Sequence, residues 1–224
     1  MAESRAQWRW LPLLLFGLAL YVIARVADTP QAGTPLPAGS AAASSSPSAA
    51  VSPSASVAGS PYDPVDYTVQ IRARARQAGI SAQLLLAILY NESYKPHDPD
   101  VERAWQRYKP NASFGIANMH RATFDEVKQG RDFGDRRWDE LPDDRDLAIE
   151  AEAWYLHDLA ALLPAQLSAS YSKNELLALG YNTGAGNMLA FAHGATPGSQ
   201  AQSYLDRLHA NWSKAGAVIA RRPH

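Results

Sequence analysis

Glu92 closes the apolar run Leu84-Leu85-Leu86-Ala87-Ile88-Leu89-Tyr90-Asn91, and that position opens a small set of chemistries to its carboxyl group. Ser81 stands after Gly79 where a helix N-cap would stand, so the spacing predicts a helix from there. At about 100° per residue, Leu84, Leu85, Ile88 and Leu89 share an arc of about 140°, with Glu92 near its middle and in the last turn. An ionised carboxylate on a core-facing side is costly alone, so it must pair, reach a cleft or keep its proton. On the floor of an apolar-walled cleft it holds its proton to higher pH, which is what a general acid requires. The competing reading is a Glu that snorkels to solvent as the helix ends or pairs with an arginine, and this helix alone does not choose between the two.

Two further carboxylates, Glu150 and Glu152, lie on a long predicted helix. Either could stand opposite Glu92 and activate a water, as a hydrolytic mechanism needs, or both could belong to a solvated helix face. Asp98, Asp100 and Glu102 are loop charges without a pattern. The six His are scattered without paired spacing, so neither a metal site nor a cofactor is expected. The absence of Cys removes disulfides, thiol nucleophiles and thiolate metal sites. With 21 Lys+Arg against 22 Asp+Glu and no basic block, nucleic acid is not expected as a partner.

The elements that must position Glu92 come after two other segments. Residues 1–28 carry Arg5 and Arg9 ahead of the apolar run Trp10–Ala24, which at about 1.5 Å per residue is slightly short of a ~30 Å span. Val26 and Ala27 extend it if Arg25 snorkels, and Trp8 and Trp10 suit the headgroup level. The run reads as a membrane anchor with its N-terminus in the cytoplasm, or as a signal peptide cleaved after Val22-Ile23-Ala24. Both readings put the remainder of the chain outside the cytoplasm. Residues 29–60, rich in Ala, Ser and Pro, are expected to be a disordered tether.

Residues 61–224 are long enough for one hydrophobic core and one domain. Asp63-Pro64 opens a helix with Val65, Val69, Ile71 and Ala75 as its apolar face. Tyr94–Asn111, with three prolines, reads as loop with one helical turn around Val101–Tyr108. Ser113–His120 leads into a short helix, Arg121–Lys128. Asp143 or Asp144 caps a long helix to Leu163, with Leu147, Ala151, Trp154, Tyr155, Leu159 and Leu162 along one side. Ser172-Lys173-Asn174-Glu175 is a capping box, and helices are expected beyond it around Asn187–Ala192 and Ser199–Ala220. No period-2 stretches stand out, so the fold class expected is all-α with minimal β.

Three segments then read together: Glu92-Ser93 ending its helix, Phe114-Gly115-Ile116-Ala117-Asn118-Met119, and Tyr181-Asn182-Thr183-Gly184-Ala185-Gly186-Asn187. In this order they resemble the soluble-type lytic transglycosylases, whose domain belongs to the lysozyme-like superfamily. That family shows a Glu-Ser pair ending a helix, then Gly-Leu-Met-Gln, then Ala-Tyr-Asn-Ala-Gly. The resemblance covers roughly Ile80 to Leu208. It implies a lysozyme-like helical domain with a substrate cleft, Glu92 as catalytic acid/base, and Ser93, Ser113, Asn118, Tyr181 and Asn182 as substrate-binding residues. Ile116, Ala117 and Asn118 stand where Leu, Met and Gln are usual, and Glu152 where Gly is usual. The interval from Glu92 to Gly115 is longer than usual, so Trp105 and Tyr108 could supply a cleft wall of their own.

The implied reaction cuts the β-1,4 bond between N-acetylmuramic acid and N-acetylglucosamine in peptidoglycan. Glu92 protonates the leaving oxygen, the substrate acetamido group steadies the oxocarbenium-like centre, and Glu92 then takes the proton of the muramoyl 6-hydroxyl. The product is a 1,6-anhydro end. Tyr181 would aim its hydroxyl at Glu92 or the sugar, or else pack in the core. Ser93 would cap or orient, and Asn182, Gly184 and Gly186 would support the turn. The expected partners are glycan strands and, through the N-terminal helix, the membrane; the expected form is a monomer in the bacterial envelope. A hydrolytic muramidase and a catalytically silent glycan-binding domain remain as alternatives.

Overall fold

The computed structural model describes residues 62–167 and 170–221; the expected anchor or signal segment (1–28) and tether (29–60) lie outside them. Helix makes up 66% of the interpretable region and strand 3%, so the all-α expectation holds at that level. Among the described residues no helix is long and apolar enough to cross a membrane.

The helix ending in Glu92 (α2, Ala82–Glu92) is the hub. Ser81 caps it, its hydroxyl accepting from the Leu84 N–H. It is more enclosed than a one-sided helix: every residue from Leu84 to Leu89 is buried at 0% exposure. The run is apolar without interruption, and a helix apolar on all sides must be covered on all sides. The cover is α1 (Thr68–Ala78) on one side, α8 (Ser199–Ala220) along its length, and α5 (Arg145–Leu162) and α6 (Lys173–Thr183). Asn91 pins α2 to α8, donating to the Tyr204 carbonyl at 3.1 Å and accepting from Asn211 at 2.9 Å.

Asp63 caps a 3-10 turn, Pro64–Tyr67, that leads into α1. Ile71, Ala75 and Ala78 face the core, whereas Val69, expected on that face, is exposed. The stretch expected to be loop with one helical turn is a ten-residue helix, α3 (Pro99–Tyr108). Asp98 caps it by accepting from Asp100 and Val101, and Pro99 occupies its first turn. Ser113–Phe114 (β1) and Met119–His120 (β2) pair antiparallel, Ser113 with His120 and Phe114 with Met119. Two-residue strands are too short for alternation to show in sequence. Gly115 starts the connecting turn at φ +70, where an added Cβ would lie 2.9 Å from the Leu141 Cβ and carbonyl oxygen.

Next come α4 (Arg121–Val127) and a 3-10 turn, Trp138–Glu140, whose indole donates to the Met119 carbonyl. Asp144, not Asp143, caps α5, and Leu162, expected on its inner side, is exposed. The Ser172–Glu175 capping box forms as expected and opens α6. Gly184, at φ 87, separates α6 from α7 (Ala185–Ala192).

Candidate functional site

Glu92 is only 7% exposed at the C-terminal end of α2. Its Oε1 accepts from the Tyr204 hydroxyl at 2.9 Å and its Oε2 from the Asn118 amide at 3.0 Å. No arginine bridges it among the described residues. Burial pushes its pKa above the ordinary carboxylate range; the Asn118 and Tyr204 hydrogen bonds and the charges of Lys95 and Arg207 only partly offset that. A carboxyl poised to begin as an acid, with two donors ready for its anion, can both give and recover a proton.

Each neighbour has a local reason for its place. Asn118 ends the β1–β2 turn at φ 45, its N–H bonded to the Gly115 carbonyl at 2.9 Å. Its side-chain oxygen accepts from Lys95 Nζ at 2.7 Å, which fixes the amide with its nitrogen toward Glu92. That same nitrogen also reaches the Glu92 main-chain carbonyl at 3.0 Å. Lys95 is held below its ordinary pKa chiefly by burial. His97, with its side chain 1% exposed, places Nε2 3.2 Å from the Glu92 carbonyl and Nδ1 3.0 Å from Glu102 Oε1. Glu102 Oε2 accepts the Gly115 N–H at 2.8 Å, so α3, the hairpin and the end of α2 meet at one point.

Of the residues expected at the site, Asn118 contacts Glu92 directly, with its amide engaged within the protein. Ser93 bonds back along its own helix, donating to the Leu89 carbonyl at 2.6 Å. Tyr181 aims its hydroxyl at the Ala117 carbonyl, 2.5 Å away, and not at Glu92; its ring lies 5.6 Å from that of Tyr155. It thereby holds the hairpin turn that carries Asn118. Ser113 sits in β1, and Asn182 is exposed near the end of α6.

The residue that sequence reasoning missed is Tyr204. Its signal was its place on the inner face of α8 with Leu205 and Leu208, where a hydroxyl needs a partner. Burial, then the Glu92 charge, raises its pKa well above the phenol range, so it stays a neutral donor. Glu102 and His97, set aside in the sequence as unpatterned, are both buried.

The two carboxylates of α5 separate. Two positions apart on a helix, they face different ways. Glu150 pairs with Arg74 at 2.7 Å. Glu152 is 0% exposed, neither of its oxygens has a hydrogen-bond partner, and burial followed by the Glu92 charge drives its pKa well above the carboxylate range. Trp105 and Tyr108 are exposed on α3. A cleft of about 540 Å³ is lined by α3, α4 and the Trp138 turn, but Glu92 is not in its wall. Of the five cations that line it, Arg103, Arg121, Lys128 and Arg137 are each paired with an aspartate, and Arg107 is the fifth.

Comparison with known proteins finds no matching family model, no matching curated protein and no matching solved structure.

Proposed function

We propose that this protein is a peptidoglycan lytic transglycosylase with a lysozyme-like helical domain, cleaving the MurNAc-β-1,4-GlcNAc bond without water to leave 1,6-anhydro ends. The observation that carries the reading is the state of Glu92: buried, raised in pKa by that burial, and flanked by Tyr204 and Asn118. Glu92 begins protonated and gives its proton to the leaving glycosidic oxygen. The anion left behind is held by the two donors already in place, so little rearrangement opposes the step. The same carboxylate then draws the proton from the muramoyl 6-hydroxyl, and the ring closes.

Hydrolysis would require a second group to activate water. Of the two candidates, Glu150 is paired with Arg74, and Glu152 is sealed from solvent and held in its neutral form, so it is a poor base. This favours the single-carboxylate reaction over the muramidase. The proposal includes a monomer held to the cell envelope by residues 1–28, with the domain outside the cytoplasm, acting on glycan strands and needing no cofactor. Its test is Glu92→Gln, an isosteric change that removes the proton. It is expected to abolish release of soluble fragments from purified peptidoglycan while leaving sedimentation with the polymer intact. Full activity in Glu92→Gln would refute the role of Glu92.

A further inference from the structure

Among the described residues only two that are not glycine have positive φ, His97 at 49 and Asn118 at 45. Asn and His tolerate left-handed backbone better than most L residues, but it is still disfavoured, and such conformations persist where surrounding contacts hold them. These two side chains reach the same atom. His97 Nε2 and the Asn118 amide lie 3.2 and 3.0 Å from the main-chain carbonyl oxygen of Glu92. That carbonyl ends α2 and has no partner within the helix, so both its lone pairs are taken from outside.

The proton positions on His97 are set by its partners. A carbonyl only accepts, so Nε2 carries a hydrogen. Nδ1 faces Glu102 Oε1, so one proton lies between them, on the ring if Glu102 is ionised and on the carboxyl if it is not. Glu102 thereby selects the form of His97 that can donate to Glu92, while its other oxygen ties Gly115 and the turn that carries Asn118. Tyr62 covers the His97 ring edge-on, with centroids 5.3 Å apart.

We infer that His97, oriented by Glu102, forms with Asn118 a two-sided clamp on the Glu92 carbonyl that fixes where its carboxyl points. His97 and Glu102 are then positioning residues. The clamp rests on the function proposed above in treating Glu92 as the reacting group. It accounts for both departures from ordinary backbone at once: each places a donor that a relaxed chain would not bring to the end of α2.

The test pairs two His97 variants. His97→Asn accepts the left-handed backbone and offers a group near Nδ1 for Glu102, but it lacks the reach to Glu92. His97→Gln offers an amide near Nε2, which can restore that bond. His97→Asn is expected to lower kcat on a defined glycan-strand substrate on the order of 10–100-fold with KM nearly unchanged, and His97→Gln to recover most of it. If His97→Asn does not fold, His97→Met, which keeps the length of His97→Gln but cannot donate, takes its place in the same kcat comparison and in the titration that follows. The second measurement needs no substrate: the Glu92 carboxyl, followed by carbon NMR, should titrate at higher pH in His97→Asn, which leaves Tyr204 and Asn118 in place as donors to the anion but lets the carboxyl turn away from them. Wild-type kcat in these variants together with an unmoved titration would overturn the clamp. A wild type that releases no product would overturn the function proposed above, and the titration would then judge the clamp alone.

Discussion

Replacing Glu152 with Gln should steady the fold at neutral pH and flatten the dependence of stability on pH. Glu152 is wholly buried with both oxygens unbonded, so it remains protonated in the folded protein above the pH at which the unfolded chain releases that proton. From the ordinary Glu pKa of about 4.3 upward the folded state binds one more proton than the unfolded state, and stability falls by about 1.4 kcal/mol per pH unit. The sign is that of a raised acid: its stability is fully present below the unfolded pKa and is lost as pH rises through the folded one. Glu92 is raised too and adds to the same downward trend. Glu152→Gln should take its own share, about 1.4 kcal/mol per unit, out of the slope. Glu152→Met, which removes the orphaned oxygens as well, should add about 1–3 kcal/mol at pH 7. Urea unfolding at half-unit steps from pH 4.5 to 7 measures both effects. An unchanged slope in Glu152→Gln would show that Glu152 does not hold its proton in the folded protein, and the case against it as a hydrolytic base would fall with it.

Three other outcomes rest on particular contacts. Tyr204→Phe removes a donor to the Glu92 anion, so the alkaline limb of the pH–activity profile, where the acid loses its proton, should move upward while kcat falls; an unmoved limb would deny the contact a role. Leu86→Ala in the enclosed α2 should cost about 2–5 kcal/mol by urea unfolding, and a cost under about 1 kcal/mol would mean that the helix is not covered on that side. Gly115→Ala meets both a left-handed backbone and the Leu141 main chain, so it should lower Tm and weaken activity together, since the same residue's N–H holds Glu102.

The end of α2 was legible in sequence because it rests on local rules: a serine cap, a continuous apolar run and one carboxylate inside it. The capping box before α6 and the extent of α8 were legible for the same reason. The α3 helix was misjudged because three prolines read as breakers, although Pro99 succeeds a capping Asp98, the same signal that opens the 3-10 turn at Asp63-Pro64. Tyr204 and His97 escaped because their roles lie in contacts with Glu92 from α8 and from a left-handed turn, and no spacing in the chain encodes either. Tyr181 drew the role that its motif suggested, while the fold gives its hydroxyl to the Ala117 carbonyl. Glu152 could not be assigned to core or surface by periodicity, because Leu147, Ala148, Ile149, Ala151 and Ala153 bury almost the whole first half of α5.

The central claim, that one buried carboxyl both donates and recovers the proton, is tested most directly by the mass of the fragments released from purified peptidoglycan by the full chain. Muropeptides one water lighter than the corresponding reducing-end products, absent with Glu92→Gln, are the predicted result. Fragments ending in ordinary reducing muramic acid would contradict it.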